Sequence, residues 1–529
     1  MIKNEILYLL FLIIFPVEML FAVPATPNPV IITQPDGSTI EIRLRGDEFF
    51  HYRTSPDGYL LETDNEGYMA YAYADKNKNI VSSGIRASNI GSRSLKEKNY
   101  LETIEKNPDL TSIGKQKRLQ RSVSTVENAI QQKAYPLNGS PKSLVILVNF
   151  TDRSFLINNP KEAFTNLLNE EGYSANLATG SARDYFIASS MGKFSPQFDV
   201  AGPYTLPNNR AYYGENDSQG NDKNPRQMII DACNLADTDV NFKDYDTDGD
   251  GRVDNIFVFY AGHNEAEGAN ENTIWPHRWV VQSSPNYDGV RIYDYACTSE
   301  LKSNIGSTMC GVGTFVHEFG HVLGLPDFYA TNDATHHTLS YWSVMDTGPY
   351  LNEGRTPPAY SAYERFYLGW LNPVELKEKS DNILLDTLTT SNTACIITQN
   401  GNHNLNGKNP NPVEFFMIEN RQQKAWDAFL PGHGMLVTRI YYSATDWNKN
   451  EVNNTSSAMG VDIIEADGVA SSRSLPGDPF PGISETKIYR PKLRNGTNIN
   501  KPLKEIEEAD GIISFSFMKY LEAPTALAA

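Results

Sequence analysis

Residues 27 to 90 alternate apolar and polar positions, as in "STIEIRLRGDEFFHYRTSPDGYLLETDNEGYMAYAYAD". Turn signals at Pro56-Asp57-Gly58 and Asn65-Glu66-Gly67 interrupt the alternation, which predicts a small antiparallel unit. From 91 to 140 the pattern fades into a polar, charged stretch with a basic run from Lys115 to Arg121, read as a linker open to proteolysis. "KSLVILVNFTD" then opens a new unit with the near-continuous apolar run of a buried strand, and "NIFVFYAG" (255–262) and "RIYDYACTSEL" (291–301) repeat that pattern. Helical periodicity marks 160–171, 181–190, 225–236, 311–323 and 357–371. Beyond 376, short strands return between Gly, Pro and Asn turns ("EFFMIENRQ", "GMLVTRIYY", "VDIIEA", "GIISFSFMKYL"), the pattern of a β-sandwich-like unit.

The chain has 529 residues, enough for about three domains. Its first residues change the picture of the compartment. Lys3 precedes an apolar run from Ile6 to Pro16, and small residues follow at Ala22 and Ala25, the pattern of a signal peptide cleaved near either alanine. The expected division is a signal peptide at 1–22, a pro-region and linker at 23–140, a catalytic unit at 141–375, a β-sandwich-like unit at 376–521 and a tail at 522–529. A secreted, monomeric protein with no membrane insertion after signal removal is expected. The formal charge of −18 gives no electrostatic reason to seek nucleic acid. The four cysteines (Cys233, Cys297, Cys310 and Cys395) fit either two disulfides or four buried thiols.

Chemistry concentrates at "GTFVHEFGHVLGLPDFY", residues 313 to 329. On a helix His317 and His321, four apart, share a face and can hold zinc, while Glu318 projects toward the place of an activated water and serves as general base. Gly324 ends the helix and turns the chain, so that Asp327 arrives as the third metal ligand. Glu364, on the later helical pattern, is the rival for that role, and His336 and His337 are lesser ones. Met345 follows in "SVMD" as a structural thioether near the imidazoles. No Gly-x-Ser-x-Gly elbow is present, which argues against a serine hydrolase.

A second motif, "DYDTDGDGRVD", sets oxygens at Asp246, Asp248, Asp250 and Asp254, with the carbonyl of Arg252 at the seventh position and Gly251 at the turn. That is the spacing of a calcium loop lacking its final glutamate, with Asp244 just ahead of it.

His-Glu-x-x-His-x-x-Gly-x-x-Asp followed by a Ser-x-Met turn resembles the immune inhibitor A-type secreted bacterial metallopeptidases, relatives of the metzincins. "GSARDYFIASSMGKFSP", "IWPHRW", "PPAYSAYERFYLGWLNP" and "GDPFPG" extend the resemblance over about 140 to 520. It implies an α+β, metzincin-like zinc endopeptidase acting on protein substrates, secreted as a precursor and dependent on calcium. Thr347 stands where some metzincins carry a tyrosine after the methionine, so the oxyanion donor is open, with Tyr341 and Tyr350 as candidates. Latency would come from residues 27 to about 135. With no cysteine before 233, either a carboxylate such as Asp47 or Asp57 or simple steric cover would do the blocking. The rival reading of the whole chain is a calcium-stabilised adhesive or carbohydrate-binding module. Intact Glu318 argues against it, because a structural zinc site needs no base.

Overall fold

A computed structural model describes residues 21–123, 135–217, 220–332, 334–401 and 403–518. The expected signal peptide, apart from Phe21 and Ala22, therefore lies outside the described residues, as do residues 124–134 of the linker and the tail from 519.

The alternating N-terminal stretch forms a six-stranded antiparallel meander in chain order: β1 (Val30–Thr33), β2 (Thr39–Gly46), β3 (His51–Thr54), β4 (Leu60–Thr63), β5 (Met69–Ala74) and β6 (Ile80–Arg86). Ile40, Ile42 and Leu44 of β2 point to one buried face, as the period of two requires. Asparate side chains close the turns: Asp64 Oδ1 accepts from the amides of Glu66 and Tyr68. Two helices follow, α1 (Leu95–Leu101) and α2 (Thr111–Val123), and the basic run lies in α2.

The central sheet has the order β10-β13-β9-β7-β8. β7 (Lys142–Asn149), β8 (Gln197–Thr205), β9 (Ile256–Tyr260) and β13 (Asp294–Ser299) run parallel, and the edge strand β10 (His277–Val280) pairs antiparallel with β13. Leu144 to Val148 are fully buried, with helices and loops covering both faces of the sheet, which is why β7 reads as a continuous apolar run. α3 (Pro160–Asn169) and α4 (Ala182–Ser190) pack on one face with α7 (Gly313–Val322). α5 (Arg210–Gly214) and α6 (Pro225–Ala236) belong to the other side, with the short hairpin β11 (Asn286–Tyr287) and β12 (Val290–Arg291). The core of this unit includes Tyr135, whose ring packs edge-on against Phe319 at 5.2 Å.

The periodicity over 357–371 gives a shorter helix than expected, α8 (Ala362–Tyr367). Pro357 and Pro358 disfavour helical geometry ahead of it, Ser361 caps its start by accepting from the Glu364 amide, and Gly369 at φ +77° ends the run.

Downstream lie two more sheets. One has the order β14 (Val374–Glu375), β16 (Cys395–Thr398), β17 (Glu414–Arg421), β18 (Gly434–Tyr441), β19 (Val461–Ile463); the other joins β15 (Ser380–Leu385), β21 (Ile512–Phe517) and β20 (Leu503–Ala509). Phe416, Ile418 and Val437 of the first share a core with Leu385, Phe515 and Phe517 of the second. The opposite face of the first sheet, through Phe415, Met417 and Ile440, is continuous with the core beneath α7. The protein is thus a mixed α/β structure whose C-terminal sheets are built into the floor of the central unit. All four cysteines are free thiols. No helix among the described residues is long and apolar enough to cross a membrane.

Candidate active site

α7 has two working sides. Phe315 and Phe319 pack against the sheet, with Phe315 4.5 Å from the Phe257 ring and 5.0 Å from that of Phe198. His317 and His321 emerge on the other side, one turn apart. The helix stops at Leu323, and Gly324 at φ +99° takes the left-handed conformation that a side chain would resist. The chain turns back, and Asp327 meets the two imidazoles from outside the helix.

His321 Nε2 lies 3.1 Å from His317 Nε2, and each is 3.3 Å from Asp327 Oδ1. Ligand atoms bound tetrahedrally at about 2.0–2.1 Å sit roughly 3.3 Å apart, so this triangle has the size of a zinc face. The hydrogen bonding agrees. His317 Nδ1–H donates to Val344 O at 2.7 Å and His321 Nδ1–H to Leu325 O at 2.8 Å, which leaves both Nε2 lone pairs facing each other without a proton between them. Asp327 Oδ1 is buried with no hydrogen-bond donor. Burial holds His321 neutral, below its ordinary pKa. Burial also opposes charge on Asp327, but the two imidazoles outweigh it and keep the carboxyl well below its usual range. Neutral imidazoles and an ionised carboxylate are the binding forms of these ligands.

Glu318 stands beside them, fully buried, and burial pushes its pKa well above the carboxylate norm. Its Oε1 accepts from the backbone amide of Val23 at 2.9 Å, and Oε2 has no hydrogen-bond partner among the described residues. Val23 belongs to an N-terminal strap that crosses the site. Phe21 pairs antiparallel with Arg278 of β10, and its ring lies 4.8 Å from that of His321. Ala22 O accepts from Tyr329 Oη (2.7 Å), Val23 O from Trp275 Nε1 (3.0 Å) and Pro24 O from Tyr350 Oη (2.6 Å). The strap thus meets the sheet edge through one backbone bridge, and side chains hold its next three carbonyls one by one.

The Met345 turn closes the site from below. A Cβ on Gly320 would lie 2.6 Å from Met345 Sδ, so only glycine lets the turn approach α7 this closely. Met345 O accepts from the Phe328 amide at 2.7 Å, and Val344 O is the partner of His317 already described. Glu364 is occupied elsewhere: its carboxylate accepts from Ser343 Oγ at 2.6 Å and from the Ser361 amide, the capping box of α8. His336 is taken up by the backbone: its Nε2–H donates to Asn453 O at 2.8 Å.

Residues 132–370 match the family model described as immune inhibitor A peptidase M6, catalytic domain. That stretch is therefore similar to a peptidase M6 catalytic domain. The chain is similar to the pre-pro-metalloprotease PrtV of Vibrio cholerae serotype O1, 29% identical over 252 residues, which is 40% of this chain and 27% of that protein. It is also similar to immune inhibitor A of Bacillus thuringiensis subsp. alesti, 29% identical over 305 residues, covering 46% of this chain and 43% of that protein. The match thus takes in less than half the length of each relative.

Around the His-Glu-x-x-His motif lie residues that local sequence does not reveal. Asn450, beyond β18, accepts from the Asp327 amide at 2.7 Å through Oδ1 and donates to Asp327 Oδ2 at 2.6 Å through Nδ2. This double contact leaves Oδ1 of Asp327 for the imidazole side. Trp447 Nε1 donates to Gly324 O at 3.0 Å and Asn453 Nδ2 to Phe328 O at 2.7 Å, so one C-terminal segment fixes the whole return from α7. Neither Asp47 nor Asp57 joins the ligand triangle: Asp47, which lines the same cleft as Tyr329, pairs with Arg118 at 2.6 Å, and Asp57 pairs with Arg93 at 2.6 Å.

In the aspartate loop the structure brings carboxylate oxygens of Asp246, Asp248 and Asp254 within 4.8 Å of one another. Asp250 and Asp244 are not in that group. Asp250 Oδ1 turns to the Arg252 amide (2.9 Å), and Asp244 Oδ1 accepts from Asn241 Nδ2 (2.9 Å). Burial, with the neighbouring charges of Asp248 and Asp246, raises Asp254 to a pKa of about 6.

Proposed function

We propose that this protein is a secreted zinc-dependent endopeptidase, made as a latent precursor and stabilised by calcium. The observation that carries the reading is the meeting of the ligand triangle, the Glu318 carboxylate and a peptide amide within one buried site. His317, His321 and Asp327 would hold zinc, which supplies the Lewis acidity that makes water nucleophilic near neutral pH. Glu318 takes the water's proton and returns it to the leaving nitrogen. The Val23 amide on Glu318 Oε1 supports that role, for a peptide nitrogen reaches the proton-carrying oxygen. Burial favours the protonated form of Glu318, the state that must exist between the two transfers. The arrangement of α7, its Gly324 turn and the Met345 loop supports a metzincin-like layout, followed by a β-sandwich-like unit.

Latency follows from the strap. While Phe21 is paired with β10 and Val23 covers Glu318, a protein substrate has no route to the base. The strap, rather than Asp47 or Asp57, is the blocking element in this reading. Cleavage between 115 and 134 would free the pro-region while sparing Tyr135, which packs in the catalytic core. The test is casein cleavage before and after limited proteolysis in that linker. The precursor should be inert, the processed form active, and a zinc chelator should abolish the activity. A processed, zinc-loaded form that cleaves no protein would leave the binding-module reading standing.

For calcium, the metal-free loop sets the pH dependence. An acid raised to about 6 in the fold, against about 3.9 unfolded, binds more protons when folded, so stability falls as pH rises across that window. A cation that neutralises Asp246, Asp248 and Asp254 removes the penalty above it. Adding millimolar calcium to calcium-free protein at pH 7.5 should raise the melting temperature by about 5 °C, and by little at pH 4.5. The Asp246→Asn, Asp248→Asn double variant should show no calcium effect at either pH. A calcium response in that variant equal to wild type would refute the site.

A further inference from the structure

The strap does more than obstruct: it lays a peptide group across the catalytic residues in the order that hydrolysis needs. Between Ala22 and Val23, the nitrogen donates to Glu318 Oε1 at 2.9 Å, and the carbonyl oxygen accepts from Tyr329 Oη at 2.7 Å. Phe21 on the preceding side pairs with the edge strand β10, and Pro24 on the following side is held by Tyr350. One bond of the strap therefore has its leaving atom at the base and its carbonyl oxygen at a phenol. The strap is buried at this bond, with Ala22 0% and Val23 1% exposed.

We propose that Tyr329 is a catalytic residue, the hydrogen-bond donor to the carbonyl oxygen of the scissile peptide bond. This rests on the peptidase reading above. The chain places it for the purpose. Asp327 turns to the imidazoles, Phe328 turns away into the core, 5.9 Å from the Trp447 ring, and Tyr329 turns back to the cleft. Alternate residues of a non-helical segment thus share the site side. The other tyrosine candidate on the strap, Tyr350, reaches the carbonyl of Pro24, two residues along, and is a substrate-positioning group. Among the described residues, no hydrogen bond joins Tyr341 to the strap.

In the reaction the water oxygen bonds to the carbonyl carbon while Glu318 takes a water proton. The carbon–oxygen π pair moves onto the carbonyl oxygen, where the Tyr329 O–H hydrogen bond strengthens as negative charge grows. The carbon–nitrogen bond then breaks, and the proton on Glu318 passes to the nitrogen. Tyr329 keeps its proton throughout, so atoms and charge balance with water as the only co-reactant. Because the bond is strongest when the oxygen is charged, the donor favours the transition state over the bound substrate.

The experiment uses processed enzyme carrying Tyr329→Phe, with zinc content measured alongside. kcat should fall about 100-fold, with KM within threefold and zinc retained, the size expected for one lost oxyanion donor. A phosphinic peptide that mimics the charged tetrahedral centre should lose affinity by a similar factor, while the corresponding product peptide binds as before. A purely structural role would move both ligands together. Tyr329→Met, also without a donor, serves the same comparison if the phenylalanine variant does not fold. A kcat within threefold of wild type, or equal losses for phosphinate and product, overturns the assignment and leaves the peptidase reading intact. If wild type itself cleaves nothing while zinc-loaded and processed, that reading fails and this one with it.

Discussion

Glu318→Gln in the processed enzyme should lower kcat by about 10³-fold or more while zinc content stays at the wild-type level. Glutamine keeps the size of the side chain and can still accept a hydrogen bond at Oε1, but it cannot take a proton. The two transfers assigned to Glu318 in the proposal, from water and to the leaving nitrogen, would then be lost together. Because the metal ligands are His317, His321 and Asp327 in this reading, zinc binding has no reason to change. The precursor should also stay folded, since the contact with the Val23 amide needs only an acceptor. A variant retaining a tenth of wild-type kcat would mean that another group carries the proton.

Asp327→Ala should cost at least tenfold in zinc affinity and remove activity, measured by zinc competition titration and casein cleavage. The two imidazoles that remain point at each other across 3.1 Å and would lack the anionic partner that completes the face. Glu364→Gln is the control, because the carboxylate is spent on Ser343 and the cap of α8, and it should hold zinc as wild type does. In the same titration Asn450→Ala should weaken zinc by roughly 10-fold or more, the effect of losing an outer partner that orients a ligand. Should Glu364→Gln lose zinc while Asp327→Ala keeps it, the third ligand has been assigned to the wrong residue.

The motif helix was legible because its information is local. His317, Glu318 and His321 acquire their directions from 3.6-residue geometry alone, and Gly324 marks the stop because its φ suits few other residues. The buried strands at β7, β9 and β13 were equally plain, since covering both faces forces an apolar run. The helix over 357–371 was overextended because apolar periodicity continues through Pro357 and Pro358, where the backbone cannot. In the aspartate loop, spacing put Asp250 with the others, whereas its side chain satisfies the nearby Arg252 amide instead.

The arrangement around the motif belongs to tertiary structure. Asn450 meets Asp327 across 123 positions, and Val23 meets Glu318 across 295. No periodicity or turn signal encodes such a distance, because pairs this far apart are chosen by packing of whole sheets and by which edge strand is left open. The residues of the proposed chemistry, two imidazoles and a glutamate on one helix with a carboxylate after a turn, lay in a short stretch of sequence. Which tyrosine faces the peptide carbonyl, which asparagine orients the ligand and which segment covers the base were decided only when the folded chain brought remote backbone groups within hydrogen-bond reach.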